Sequence, residues 1–141
     1  MSGRYRTEAL ASHWSESGSK YCQTPACKEH DVLEDLGHIL ARCESLKGTR
    51  ENLMRFTENY CKTVEIAEVR KIIMTYTKTE YPVFCQFMVD CSVLPDVIKA
   101  CQTYDRGAVL SHLFRITRTW CYCLHRERLK VLGRWKRPRG R

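Results

Sequence analysis

The chain has 141 residues and a formal net charge of +8, and its length favours one domain, or one domain with a tail. Hydrophobic residues make up 43% and charged residues 28%, a globular composition that excludes a disordered chain. No stretch approaches the roughly 18 uncharged apolar residues of a membrane span, and residues 1–21 hold no apolar run beside basic residues, so we expect neither a membrane protein nor a signal peptide.

Apolar residues recur at helical spacing in three segments of the N-terminal half, and each segment predicts an α-helix. The first predicted helix covers residues 33–40, and Asp31 with Glu34 three residues on would cap its N-terminus. The second opens at Thr49, and the third spans residues 64–76.

Three further elements are predicted after Pro82, which breaks the pattern of the third helix. Residues 83–89 form a short apolar run that suits either a strand or a helix. Pro95 and Asp96 fit the first turn of a short helix, and no Gly or Pro interrupts the longest element, from Ala108 to Leu132. The expected fold class is therefore all-α, a small helical domain that ends in a long basic helix.

The last predicted helix has an apolar side and a basic side. At about 100° per residue, the two sets of side chains point roughly 140° apart. The helix can therefore pack on a core with one side and offer cations to phosphates and an aromatic ring to a base with the other. The alternative is an ordinary amphipathic helix whose solvent face is basic. The apolar set is Val109, Leu113, Ile116, Trp120 and Leu124; the basic set is Arg115, Arg118, Tyr122, Arg126 and Lys130.

The positive charge is concentrated at the C-terminus. Residues 106–141 hold eleven basic residues and one acidic residue, whereas residues 1–105 hold thirteen basic and fifteen acidic ones. Such a segment attracts polyanions, of which nucleic acid is the commonest. We expect the tail after Leu132, with Arg134, Lys136 and Arg137, to be flexible and to act as a nucleic-acid arm or a nuclear-import signal. We therefore expect an intracellular location, in the nucleus or the cytoplasm, with the nucleus slightly favoured.

Cysteine and histidine near the N-terminus give the strongest chemical signal. Nine cysteines without an export signal favour thiols and metal ligands over a disulfide framework. Cys22 and Cys27 are separated by four residues, His38 and Cys43 by another four, and two such pairs can close a tetrahedron around zinc. Because five residues turn about 140° around a regular helix, Cys43 must lie where the helix of His38 ends. His30 competes with His38 for the histidine position.

A zinc ion with four protein ligands has no open position, so the expected metal is structural rather than catalytic. The alternative is that Cys27 and Cys43 are small buried residues and that His38 is a surface histidine.

Other candidate sites are weaker. Cys121, Cys123 and His125 have metal-like spacing, but only two of them share a helix face, and core packing explains them better. The chain has no GxxxxGK[ST] loop, no GxGxxG, no HExxH and no adjacent pair of aspartates. We therefore expect a protein that is not an enzyme in its own right.

Two stretches of the sequence resemble motifs of a known family. In the first, Cys22 and Cys27 are followed by Glu34-Asp35-Leu36-Gly37-His38-Ile39-Leu40 and Cys43. The second runs from Leu113 to Tyr122, then through His125–Arg128 to Leu132–Trp135. Together they resemble the region downstream of the polymerase in non-LTR (LINE-type) retrotransposon reverse transcriptases, which carries a CCHC zinc knuckle.

The resemblance implies that Cys22, Cys27, His38 and Cys43 hold one structural zinc. It also implies a detached C-terminal fragment that lacks the polymerase domain, and a role in holding template RNA or target DNA. In the parent context, a polymerase domain or another protein would be a partner.

Taken together, the sequence predicts a zinc-containing helical module that binds RNA or single-stranded DNA, largely through phosphates. Trp14, Tyr21 and Tyr122 are candidates for stacking on bases. The alternative is a zinc-stapled protein-interaction scaffold with an incidental basic tail. The predicted parts are a zinc-knuckle segment (1–47), a helical core (48–105), a long amphipathic basic helix (106–132) and a flexible basic tail (133–141).

Overall fold

The computed structural model describes residues 21–35, 37–80 and 82–134, and this part of the chain is helical, as predicted. It contains no strand, only an isolated antiparallel bridge between Tyr21 and Leu33. A π-helical turn (His38–Arg42) and two 3₁₀ turns (Glu44–Leu46 and Cys91–Val93) complete it. Its α-helices are α1 (Lys47–Cys61), α2 (Ala67–Tyr76), α3 (Val83–Asp90), α4 (Pro95–Thr103) and α5 (Arg106–Val131).

The long helix α5 is the centre of the fold and packs against each of the other four α-helices. The apolar stripe predicted for it is buried along its whole length. Each large apolar side chain removed from water contributes about 1.5–3 kcal/mol, so this stripe supplies much of the driving force for folding. The buried stripe is Val109, Leu113, Ile116, Trp120 and Leu124.

Trp120 joins three helices at the middle of the core. Its ring packs edge-to-face on Phe84 of α3, with ring centroids 5.5 Å apart. Its Nε1–H donates to Thr57 Oγ1 of α1 over 2.9 Å, and the Thr57 hydroxyl donates to the Leu53 carbonyl over 2.8 Å. The buried indole N–H is therefore satisfied, as a polar group in a core must be.

The run at residues 83–89 that suited either a strand or a helix is helix α3. It buries Phe84, Phe87 and Met88, which face the core at helical spacing. Pro95 begins α4 as predicted, since the proline ring suits the first helical turn. α5 begins at Arg106, slightly earlier than predicted, because the Asp105 carboxylate accepts the Ala108 N–H over 2.9 Å and caps it.

The helix predicted over residues 33–40 with a cap at Asp31 is wrong in its start. Asp31 has a φ of 50°, and the bridge to Tyr21 keeps Leu33 extended, with 59% of its surface exposed. Helical structure begins only near His38, whose N–H is accepted by the Asp35 carboxylate over 2.7 Å. The Asp35 carboxylate therefore caps the helical turn, the role that was predicted for Asp31.

None of the helices described has both the length and the apolar character needed to cross a bilayer.

Candidate metal centre

Four buried side chains converge on one point before α1. The ligand atoms of Cys22, Cys27, His38 and Cys43 all lie within 4.8 Å of one another. Cys43 Sγ is 3.9 Å from Cys22 Sγ and 4.0 Å from Cys27 Sγ, and Cys27 Sγ is 3.6 Å from His38 Nε2.

These distances between donor atoms suit a metal ion with tetrahedral coordination. With metal–sulfur bonds of about 2.3 Å and a metal–nitrogen bond of about 2.0 Å, tetrahedral angles place two sulfurs about 3.8 Å apart and sulfur and nitrogen about 3.5 Å apart. The group could therefore hold one metal ion with little movement of the side chains. The four residues predicted as ligands are the four that the fold brings together.

A tight turn places the first two cysteines. The Cys22 N–H donates to the Val32 carbonyl over 2.7 Å, which fixes the start of the loop beside its end. The Thr24 carbonyl then accepts the N–H groups of Cys27 and Lys28 over 3.0 and 2.9 Å. Pro25 stands inside this turn, where its fixed φ favours the bend.

A π-helical turn places the other two ligands. The Cys43 N–H donates to the His38 carbonyl over 2.7 Å, a bond five residues long instead of the four of an α-helix. Cys43 itself has extended backbone angles, φ −63° and ψ 121°, and ends the turn. The prediction that Cys43 lies at a helix end is confirmed. Such single π turns occur often at functional sites.

Residues that competed for the site lie elsewhere. His30 is exposed and is not a member of the group. Cys121 is buried in α5, with its Sγ 3.8 Å from the Met88 carbonyl, and it forms no cluster with Cys123 and His125. Over the described ranges, the group before α1 is the one cluster of three or more potential metal donors.

Burial affects the two kinds of ligand differently: it opposes deprotonation of the Cys22 thiol and favours the neutral form of His38. Burial raises the pKa of Cys22 to about 12 against opposing hydrogen bonds with Thr24, so without a cation its thiol keeps the proton. The Thr24 hydroxyl lies 3.1 Å from Cys22 Sγ and 3.4 Å from Cys43 Sγ. Burial lowers the pKa of His38, which favours the neutral imidazole that a metal requires.

A metal bound by all four side chains would have no position left for a substrate or a water. Such an ion would join the turn of Cys22 and Cys27 to the turn of His38 and Cys43.

The basic side of α5 lies opposite its buried stripe. Arg115, Arg118 and Lys130 are exposed, and 59% of Tyr122 is exposed. The Arg126 side chain is half-buried, with its guanidinium carbon 5.4 Å from the centroid of the Tyr122 ring. Arg134, just beyond the helix, is exposed as well. Two further predicted contacts, Lys136 and Arg137, and the stacking candidate Trp14 lie outside the described residues.

Two functional neighbours of the ligands were missed by the sequence analysis. Thr24 contacts two of the three sulfurs, and nothing in the spacing marked it. Arg128 is buried against Glu34, although it lies in a basic helix. Its position gave a signal, because it follows Leu124 by four residues and so continues the apolar stripe.

Comparisons of the chain with protein-family models, with curated proteins and with solved structures found no match.

Proposed function

We propose that this chain is a zinc-containing helical module that binds RNA or single-stranded DNA and does so without catalysis. The observation that carries the proposal is the two-sided α5. Its apolar stripe is buried, while Arg115, Arg118, Tyr122 and Lys130 stand exposed on the other side.

Zinc is the metal that the donor set favours. Three sulfurs and one imidazole are soft and borderline ligands, and a tetrahedral arrangement of them is typical of structural zinc. Bound zinc would supply the electrostatic attraction that keeps three neighbouring thiols deprotonated. In that state it would order the loop from Cys22 to Cys43 against α5.

The basic side of α5 suits a flexible polyanion. From Arg115 to Lys130 the helix rises about 22 Å, enough to follow several phosphates of one strand. Arginine offers phosphate a planar fork of N–H donors, and each neutralised phosphate releases counterions. The ring of Tyr122, held by Arg126, presents an aromatic surface on which a base can stack.

The resemblance to the region downstream of the polymerase in non-LTR retrotransposon reverse transcriptases supports the same proposal. In that setting a zinc knuckle and a basic helix would together hold template RNA or target DNA. An intracellular location, with the nucleus favoured by the basic C-terminus, belongs to the proposal.

The test is the salt dependence of binding to a labelled oligouridine. For a single strand, the slope of log affinity against log salt is about −0.7 for each phosphate neutralised, whereas an apolar protein-docking surface gives little slope. The variant R115E/R118E/K130E should bind at least about tenfold more weakly, and its slope should shrink by about 2.

The matched control is K62E/K71E/K99E, which changes the net charge equally at exposed lysines outside α5. Equal losses in the two variants would mean that net charge alone attracts the RNA, and the assignment to α5 would be wrong. A wild-type affinity that is insensitive to salt would favour the scaffold alternative.

A further inference from the structure

Arg50 forms no ion pair in the described part of the chain, and the two carboxylates that influence its pKa, Glu44 and Glu51, act on it less than Cys43 does. Arg50 lies in the first turn of α1, and its Nη1 is buried without a hydrogen-bond partner. Two other arginines near the ligands are paired, Arg42 with Asp35 and Arg128 with Glu34.

Its position connects Arg50 to the metal centre. It lines a cavity of about 230 Å³ together with Leu40 and Ala41, which belong to the π turn between His38 and Cys43. Burial lowers the pKa of Arg50, and among the charged groups that oppose this shift Cys43 acts most strongly.

The metal-loaded centre would carry a negative charge that needs a cation nearby. Three thiolates and one neutral imidazole around a divalent ion leave one excess negative charge, and this charge would be buried. The Thr24 hydroxyl has a single proton to share between two sulfurs, and Glu34 already occupies Arg128. Arg50 is a nearby cation that forms no ion pair and can compensate this charge.

We infer that Arg50 is a charge-balancing residue of the metal centre: its half-buried guanidinium beside the π turn offsets the excess negative charge of the zinc–thiolate group. The inference rests on the zinc site of the proposed function. Arg50 is a positioning residue in this role, since it acts on the metal through its ligands.

The test is zinc affinity, measured on the full chain by competition with a chromophoric chelator. R50Q should bind zinc about tenfold or more weakly than wild type, the loss typical of a ligand's supporting partner. R50K keeps the charge and should stay within about threefold of wild type. R55Q, at an exposed arginine of the same helix, should match wild type.

Cobalt gives a second readout that packing alone would not move. Loss of a cation beside the thiolates raises the energy of the sulfur electrons, so the sulfur-to-cobalt charge-transfer band of R50Q should shift to lower energy. This comparison stays valid if R50Q folds less stably, because it is read on the metal-loaded protein.

Four results would overturn the inference. R50Q with wild-type zinc affinity and an unshifted cobalt band would overturn it while leaving the zinc site intact. Equal losses in R50K and R50Q would assign Arg50 to packing. Stabilisation of wild type but not R50Q by millimolar inorganic phosphate, at equal zinc affinity, would assign Arg50 to an external anion. A wild-type chain that takes up no zinc would overturn this role and the proposed zinc site together.

Discussion

Arg128 of α5 and Glu34 of the loop between Cys27 and His38 form a buried, two-pronged ion pair. Arg128 Nε donates to Glu34 Oε2 over 3.0 Å, and Nη2 donates to Oε1. The two side chains are 2% and 3% exposed. The pair fastens the loop to the last turns of the basic helix, and it removes Arg128 from the set of cations available to phosphates.

E34Q should destabilise the protein strongly, since it leaves the Arg128 charge buried without compensation. The expected loss in the free energy of unfolding is about 3–5 kcal/mol, measured by urea denaturation with zinc present. The double variant E34L/R128M should lose much less, because an apolar pair of similar volume avoids the desolvation cost. E29Q, at an exposed position, is the control and should be neutral. A double variant as unstable as E34Q would contradict this account.

Metal removal should weaken the same junction. One zinc per chain is the expected stoichiometry, and C43S should lose it, whereas C101S should keep it because Cys101 lies in α4 outside the cluster. At free zinc about 1,000-fold above the dissociation constant, bound metal adds about 4 kcal/mol, so a chelator should lower the unfolding midpoint of wild type and leave that of C43S unchanged. A chelator that shifts both proteins equally would rule out this site as the source.

The buried hydrogen bond from Trp120 to Thr57 can be tested by removing its acceptor. T57V keeps the volume of Thr57 but removes the acceptor of the buried indole N–H. We expect a loss of about 1–3 kcal/mol in the free energy of unfolding. T103V is the matched control, since the Thr103 hydroxyl also donates to a backbone carbonyl, that of Lys99, but is exposed. Equal effects in the two variants would show that the indole finds another acceptor.

Much of this architecture follows from local patterns in the sequence. The stripe from Val109 to Leu124 predicted both the existence and the buried face of α5, because apolar residues that recur with the helical period over so long a segment indicate an amphipathic helix. The spacing of Cys22, Cys27, His38 and Cys43 predicted that these four side chains lie together, since only a few residues separate the two donors of each pair.

What escaped prediction depends on contacts between distant residues. The cap was placed at Asp31 because the bridge from Tyr21 to Leu33, which keeps that stretch extended, is invisible in a local window. The apolar run at residues 83–89 suited a strand as well as a helix, because the apolar residues between Phe84, Phe87 and Met88 hide the helical spacing of these three core residues. The burial of Arg128 was not predicted, because its partner Glu34 is 94 residues away in the sequence.

Tyr122 gives the sharpest test of how a base would be recognised. Its ring is exposed and carries the Arg126 guanidinium over one face, so the stacking surface is the aromatic ring and not the hydroxyl. Y122A should therefore weaken oligouridine binding by about 1–3 kcal/mol, while Y122F should bind as wild type does. Fluorescence anisotropy at fixed salt measures both. Y104A is the control, because Tyr104 is also exposed but lies at the end of α4. Since stacking carries no charge, the salt slope of Y122A should equal that of wild type; a reduced slope would mean that Tyr122 acts by positioning the arginines around it.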